Sequence, residues 1–340
     1  MSIPPTTDTS PPLDPPVGMD ALEAHRRELT AHCYRMLASP FEAEDAVQET
    51  MTRAWRALDR FEGRSSLRTW LYRIATNVCL DVLDGRSRRA LPMDLGPASS
   101  YEQGIGAPLA ETTWVLPVPD ARVVPEGSDP AEAAVARDTL RLALVAALQH
   151  LPPRQRAVLL LREVLRWEAS EVAGLLDTTV ASVNSALQRA RATLAERSPD
   201  GSIRPTVLDE AHRDLLDRYE AAFLRYDVDA LVGLLHADAT LSMPPFAFWI
   251  SGAEQAGRFW RSPGPSHCRD SRLVRVMVNG SPGFAQYRPS LDGDGHSAWS
   301  VHVLDVVDGR IARIDYFLDT PLVFPLFGLP LRHEPAAAIG

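Results

Sequence analysis

Thr179, Ser182, Asn184, Ser185, Gln188, Arg189 and Arg191 crowd one short stretch, TTVASVNSALQRAR, residues 178–191. Asn and Gln amides present a donor beside an acceptor, the pattern that pairs with the adenine edge in the major groove, while Arg neutralises phosphate. At 100° per residue, Val183, Ala186, Leu187, Ala190 and Leu194 fall on one side, and Asn184, Ser185 and Gln188 fall opposite. Arg189 and Arg191 take the shoulders. The preceding SEVAGLLDTT reads as a short helix with Val172, Leu175 and Leu176 inward. A tight turn at 177–179 follows, with Thr178 or Thr179 able to cap the next helix. Helix, turn and helix with a polar outer face is the arrangement that enters a DNA groove. An ordinary surface helix, polar outside, fits the same pattern.

A second set of chemical groups lies in FEGRSSLRTWLYRIATNVCLDVLDGRSRR, residues 61–89. Leu67, Leu71, Ile74, Val78 and Val82 form the expected core stripe, flanked by Trp70, Arg73 and Asn77. Arg64, Arg68, Arg73, Arg86, Arg88 and Arg89 outnumber Asp81 and Asp84, so the segment is locally basic. Rings interleaved with arginines suit single-stranded nucleic acid, where bases stack and guanidinium groups hold phosphates. Trp70 and Tyr72 are equally readable as core-edge aromatics. Upstream, Glu42, Glu44, Asp45 and Glu49 precede Arg53 and Arg56. Acidic and basic faces on neighbouring helices fit a module that meets both a protein partner and DNA.

A third set lies toward the C-terminus: Tyr219, His236, Asp238, Trp249, His302 and Asp305, with His296 and Ser300 on the His302 strand. An Asp or His in an apolar pocket can act as a base. No dyad or metal-ligand spacing groups these residues, and His236 and Asp238 sit at a helix–strand corner. Catalysis, cofactor and metal are therefore not expected, while Tyr219, His236, Trp249 and His302 remain candidate pocket residues.

The elements that must position these groups belong to a chain of 340 residues with net charge −9, room for two or three domains. The acidic balance excludes general polyanion coating but not a local basic face. Cys33, Cys79 and Cys268 lack any paired spacing, which points to a reducing compartment rather than a disulfide or zinc framework. The opening MSIPPTTDTSPPLDPP has neither a basic nor an apolar signal region, and no stretch is apolar enough for a bilayer, so a cytoplasmic location is expected. Residues 1–18 read as disordered and 19–90 as a helical module. Residues 91–129 are Pro/Gly-rich and read as a linker. Residues 130–198 read as a second helical module, with a boundary at SPDGS, residues 198–202. The remainder, 205–320, opens with one long amphipathic helix over 207–235. Six β-rich runs separated by Gly, Asp and Pro follow, which predict a curved antiparallel sheet. The tail, 321–340, carries TPLVFPLFGLPL, which suits packing on its own domain, on the helical modules or over a pocket mouth.

Two motifs carry a resemblance. EDAVQETMTRAWRALDRFEGRSSLRTWLYRIATNVCLDVLDGRSRR resembles region 2 of the extracytoplasmic-function RNA polymerase sigma factors. LPPRQRAVLLLREVLRWEASEVAGLLDTTVASVNSALQRARATL resembles their region 4, in the same order and across a linker. The resemblance implies that Asp45, Gln48 and Glu49 dock on core RNA polymerase. It implies that Phe61 and Asn77 hold a flipped base of the −10 promoter element, and that Arg86, Arg88 and Arg89 meet the upstream DNA backbone. Region 4 would read the −35 element. Where that family often carries two arginines this chain has Asn184 and Ala186, so a weaker groove contact is expected. The stretch from DEAHRDLLDRYEAAFLRYDVDALVGLLHADATLSMPP onward resembles the SnoaL-like branch of the NTF2-like cone fold, roughly over residues 206–319. Sigma factors with such a tail form a subgroup, and the stretch TTWVLPVPD of this chain, around Trp114, also resembles that subgroup's linker.

The expected architecture is therefore multidomain: two all-α modules followed by an α+β cone domain. The expected function is promoter-specific initiation with core RNA polymerase and promoter DNA as partners, tuned by the third domain through a small-molecule ligand or a contact between domains. Two other readings stay open: a cone enzyme tethered to DNA-binding helices, and an operator-binding regulator that needs no polymerase. A separate membrane inhibitor is not expected to be required, since an attached domain can do that job at high effective concentration.

Overall fold

The computed structural model describes residues 18–125, 129–197, 210–291 and 295–333. The disorder expected for residues 1–18 falls outside them, Gly18 excepted, as does the boundary at 198–202.

The first module packs α1 (Arg26–Leu37), α2 (Pro40–Ala57) and α3 (Leu67–Leu83) around Leu29, Tyr34, Val47, Leu71 and Val78. Serines cap the last two: Ser39 Oγ accepts from Glu42 N at 3.4 Å and Ser66 Oγ from Thr69 N at 3.1 Å. The buried face of α3 is rotated from the expected stripe. Tyr72, Ala75, Thr76 and Cys79 are buried, while Leu67, Ile74 and Val82 are half-buried. The polar members can turn inward because they have partners. Tyr72 OH donates to Glu28 Oε2 at 3.1 Å, and Thr76 Oγ1 lies 3.0 Å from His32 Nε2.

The second module comprises α4 (Pro130–Asp138), α5 (Leu142–Leu148), α6 (Pro153–Leu159), α7 (Ala169–Leu175) and α8 (Val180–Arg197). It shares a core with the first module rather than standing apart from it. Arg156, 2% exposed, donates to Met36 O of the first module and to Gln149 Oε1 at 2.7 Å. Arg35 reaches across to Thr139 Oγ1 at 3.0 Å, and the Tyr72 and Trp167 rings meet edge-on at 5.9 Å. Buried guanidinium groups need this degree of satisfaction, and burial still lowers the Arg156 pKa to about 10.

The 91–129 segment, read from sequence as a linker, is tied along much of its length. Trp114 is 1% exposed and residues 115–120 are buried with it. Ala90 N donates to Thr113 O at 2.8 Å, Val115 N to Ala90 O at 3.0 Å and Leu116 N to Ala38 O at 3.0 Å. The order comes from tertiary partners; nothing periodic in the segment announces it.

In the cone domain the single long helix expected over 207–235 is two: α9 (Glu210–Leu224) and α10 (Val228–Leu234). Tyr226 adopts a left-handed φ of 52°, and Asp227 then caps α10 by accepting from Ala230 N at 3.0 Å. The break lets both helices lie against the curved sheet. Its strands are β1 (Leu235–Ser242), β2 (Trp249–Ser251), β3 (Arg272–Val278), β4 (Ser281–Pro289), β5 (His296–Val307) and β6 (Arg310–Phe317). Helix α11 (Ala253–Arg261) closes one end. The spatial order is β2-β1-β6-β5-β4-β3, antiparallel except that β1 runs parallel to β6. The tail packs on its own domain: Phe324 is buried edge-on to Tyr287 at 5.2 Å, and Tyr287 OH donates to Pro330 O at 2.9 Å.

The turn between β3 and β4, Asn279–Gly280, is the point where the three modules meet. Asn279 is 0% exposed with φ 52°. Its Nδ2 donates to Tyr34 OH at 2.6 Å and to Leu140 O at 2.9 Å. Its Oδ1 accepts from Val118 N at 3.0 Å, and its own N–H donates to Val118 O at 2.9 Å. Gly280 N donates to Asp120 Oδ1 at 2.8 Å. Gly280 has φ +72°, and a Cβ there would sit 2.2 Å from Arg137 O. Only glycine permits that approach. Arg141 pairs with Asp305 beside the same contact.

Candidate nucleic-acid interface and cone cavity

On the first module, the rings of Phe61 and Trp70 lie 5.0 Å apart, both half-buried, at the start of α3. Arg64, Arg73 and Asn77 are exposed beside them. This is a surface that can receive an unstacked base. The arginines divide into two groups. Arg64 and Arg73 face solvent, and the Arg64–Glu62 pair at 2.9 Å is itself exposed. Arg86 is exposed and pairs with Glu42 at 2.5 Å, and Arg88 is exposed and touches His150. Two expected DNA contacts are committed inward instead. Arg89, 6% exposed, donates to Trp114 O at 2.7 Å and pairs with Glu42 at 3.1 Å and Glu111 at 3.2 Å. It holds the connecting segment in place. Arg68 donates to Glu28 Oε2 at 2.7 Å and lies 4.9 Å over the Tyr72 ring, which makes it a brace for the core edge.

Asp45, Gln48 and Glu49 are exposed on the outer face of α2, where Glu49 accepts from Arg53 at 2.6 Å. Trp55 stands on the same face, 53% exposed. The sequence reading missed it, although its spacing of seven from Gln48 puts the two on one side of a helix. A bare tryptophan among carboxylates suits an anchor for a protein partner.

On the second module, Thr179 caps α8: its Oγ1 accepts from Ser182 N at 3.1 Å and bonds Ser182 Oγ at 3.0 Å. Asn184, Ser185, Gln188 and Arg189 are exposed on the outer face, while Val183, Leu187 and Ala190 are buried. Arg191 is exposed and pairs with Glu163. The amides of the exposed side thus have no side-chain partner among the described residues, and Thr179 and Ser182 serve the helix start.

The cone candidates separate. Tyr219 and His302, both 0% exposed, form a buried chain: Tyr219 OH lies 3.1 Å from His302 Nδ1, and His302 Nε2 lies 3.0 Å from Gln286 Oε1. Ser300 Oγ donates to the same Gln286 oxygen at 2.8 Å, and Gln286 Nε2 donates to Ser271 Oγ at 2.9 Å. Burial lowers the His302 pKa to about 3 and pushes the Tyr219 hydroxyl well above its usual range. His302 is neutral with both nitrogens engaged, so it is poorly placed as a base. His236 and Asp238 are exposed outside the cavity, because the β1 start projects them to solvent. Trp249 is not a pocket residue either: on edge strand β2 its Nε1 donates to Gly96 O at 3.0 Å and docks the connecting segment. Asp305 pairs with Arg141 and, at 3.7 Å, with Arg313, so it belongs to the contact between domains. His296 lies 3.0 Å from Asp270 O, away from the Ser300–His302 chain.

An apolar cavity of about 400 Å³ does exist, in front of this chain. Phe223, Tyr226, Trp260 and Tyr316 form its walls, and Tyr101 to Ile105 of the connecting segment form its roof. The roof and Arg288 at the rim escaped the sequence reading. Among the described residues no helix is long and apolar enough to cross a membrane.

Comparison with known proteins gives three family matches: Sigma-70 region 2 over residues 21–89, Sigma-70, region 4 over 141–194, and a SnoaL-like domain over 216–314. The ECF RNA polymerase sigma factor SigG of Mycobacterium tuberculosis is 48% identical over 310 residues, covering 91% of this chain and 82% of that protein. The ECF RNA polymerase sigma factor SigJ of the same organism is 29% identical over 317 residues, covering 88% and 93%. The crystal structure of Mycobacterium tuberculosis SigJ superposes with a TM-score of 0.59 at 25% identity, covering 92% of this chain and 98% of that one.

Proposed function

The chain belongs to the extracytoplasmic-function RNA polymerase sigma factors, and on that premise we propose that its third domain holds it in a closed, inactive arrangement. As a member of that family it is an alternative sigma factor, not an enzyme. It binds core RNA polymerase and promoter DNA and directs transcription initiation.

The contact between the first two modules supports the closed reading. The −10 and −35 elements lie about 25 base pairs apart, roughly 85 Å of duplex. Two modules of about 70 residues in direct contact, each about 11 Å in radius of gyration, span roughly 60 Å end to end. Joined through Arg156, Arg35 and Trp167, they do not reach both elements at once. Initiation then requires them to part. The carrying observation is Asn279, which bonds the first module at Tyr34, the second at Leu140 and the connecting segment at Val118. One hairpin tip restrains all three pieces that must move.

In the opened protein, Asp45, Gln48, Glu49 and Trp55 meet the polymerase. Phe61, Trp70, Arg64, Arg73 and Asn77 take the −10 strand, with Arg86 and Arg88 on the upstream backbone. Asn184, Ser185, Gln188, Arg189 and Arg191 face the −35 groove. The protein works in the cytoplasm, beside its polymerase. Run-off transcription with core polymerase, comparing the full chain with one ending at Arg197, tests the closed reading. The shorter chain is expected to give at least tenfold more specific transcript per molecule of bound polymerase. Equal output from the two would sink it.

A further inference from the structure

The cavity has two kinds of wall, and they belong to parts of the chain that must separate. Rings of the cone domain, Phe223, Tyr226, Trp260, Trp299 and Tyr316, supply a fixed apolar cup. The roof, Tyr101 to Ile105, comes from the connecting segment. That segment is clipped on both sides of the roof, to the β2 edge and to the turn before it: Ser99 N donates to Trp249 O at 2.7 Å and Leu109 N to Pro245 O at 2.8 Å. Further along it enters the Asn279 contact at Val118.

The polar groups of the cavity are unequal. The Gln286 amide is spent on Ser271, Ser300 and His302. Glu102 on the roof accepts from Tyr101 OH at 3.1 Å. Arg288 is half-buried at the rim, its guanidinium 3.3 Å above the Trp299 ring centroid, and it has no carboxylate partner among the described residues. A second cation, Arg269, stacks outside the cup on Tyr226 at 4.8 Å. Arg275, Arg313 and Arg261, by contrast, have carboxylate partners: Asp217 and Glu220, Asp315, and Asp229. The side-chain neighbour of Arg288 is the Cys268 thiol, which carries no fixed charge to offset it. A guanidinium without a carboxylate, flat on an aromatic wall, selects an anionic head, while the cup selects a ring-bearing apolar body.

We propose that this cavity binds a small amphipathic anion, an apolar ring skeleton with one acidic group, and that the bound molecule fastens the connecting segment shut. Because the roof contributes to the site only while the segment is docked, such a ligand binds the closed protein better than the open one and shifts the population toward it. The binding half stands on the cavity alone; the silencing half rests on the closed reading above.

The probe is 1-anilinonaphthalene-8-sulfonate, with N-phenyl-1-naphthylamine as the same skeleton without the charge, both titrated into the full chain. The expected result is one saturable site for the sulfonate, at least tenfold tighter than for the neutral amine. Arg288→Gln is expected to abolish that preference and leave the amine unchanged. Amide exchange over 96–109 is expected to slow on binding, and run-off transcription to fall at saturation. Absence of a saturable site overturns the cavity as a binding site. A preference that survives Arg288→Gln overturns the assigned ligand class. Unchanged exchange over 96–109 overturns the roof. Slowed exchange with unchanged transcription leaves the site standing and defeats the closed reading instead.

Discussion

Asn184 stands exposed on α8 with no hydrogen-bond partner among the described residues, whereas Asn279, fully buried, commits its amide to Tyr34, Leu140 and Val118. The same side chain serves two ends. On α8 the donor and acceptor are left unspent, which is what the proposed −35 contact requires of them. At the hairpin tip they are consumed, and what they yield is position. The contrast extends to the arginines: Arg73 keeps its guanidinium in solvent, while Arg89 is locked among Glu42, Glu111 and Trp114 O. Within one sigma factor, exposure of a polar group separates the proposed recognition residues from the restraining ones better than residue type does.

The sharpest way to break this comparison is Gly280→Val. A Cβ 2.2 Å from Arg137 O on a φ of +72° cannot be absorbed locally, so the contact is expected to lose about 4 kcal/mol or more. Solution scattering should report a larger radius of gyration, and a profile identical to the parent's would refute the restraint. A comparable effect is expected from acid. His32 and His302 are held neutral by burial, each with its pKa lowered to about 3. The unfolded chain takes up these protons near pH 6.5 and the folded chain does not, so their stabilisation is full above that pH. It drains away as pH falls toward 3, on the order of 4 kcal/mol for each. Thermal midpoints followed from pH 7 to 3 check this, and a midpoint that stays level across the range would contradict it.

Asn279→Ala comes next. It leaves Val118 N–H and Leu140 O buried without their partner, which should weaken the contact by about 3 kcal/mol. Faster amide exchange at Val118 is the direct readout. Asn184→Ala sits at the other extreme. Stability should stay within about 0.5 kcal/mol of the parent, while affinity for a −35 duplex falls by about 1–2 kcal/mol. A stability loss as large as that of Asn279→Ala would erase the distinction between the two asparagines.

Much of this was readable beforehand, and for identifiable reasons. Period-3.6 stripes such as Val183, Leu187 and Ala190 fixed the α8 face, and the runs RLVRVMV and HSAWSVHVLDVV became β3 and β5 with the expected limits. Such signals are local. The connecting segment had none: Trp114 is buried by neighbours distant in sequence, and proline-rich stretches look alike whether tied or loose. Arg89 was misplaced for the same reason, since its partners Glu42 and Glu111 lie on other segments. His236 was drawn toward the cavity by residue type, though its strand position turns it outward. The Asn279–Gly280 pair did carry a signal. Asn-Gly between two apolar runs marks a two-residue hairpin. The fold of the turn was legible there, but not that its tip would be buried among three modules.

The clips between the connecting segment and β2 carry a further consequence. Strand β2 is one edge of the sheet, and Ser99 N, Gly96 O and Leu109 N cover its outer side and the adjoining turn. In the opening proposed above the connecting segment leaves, and that edge is bared, a template for any extended peptide that comes near. Activation on the proposed closed reading would then carry a built-in clock: a factor that opened and failed to find polymerase would be exposed to strand addition, clumping and proteolysis, and its silent form would also be its durable form.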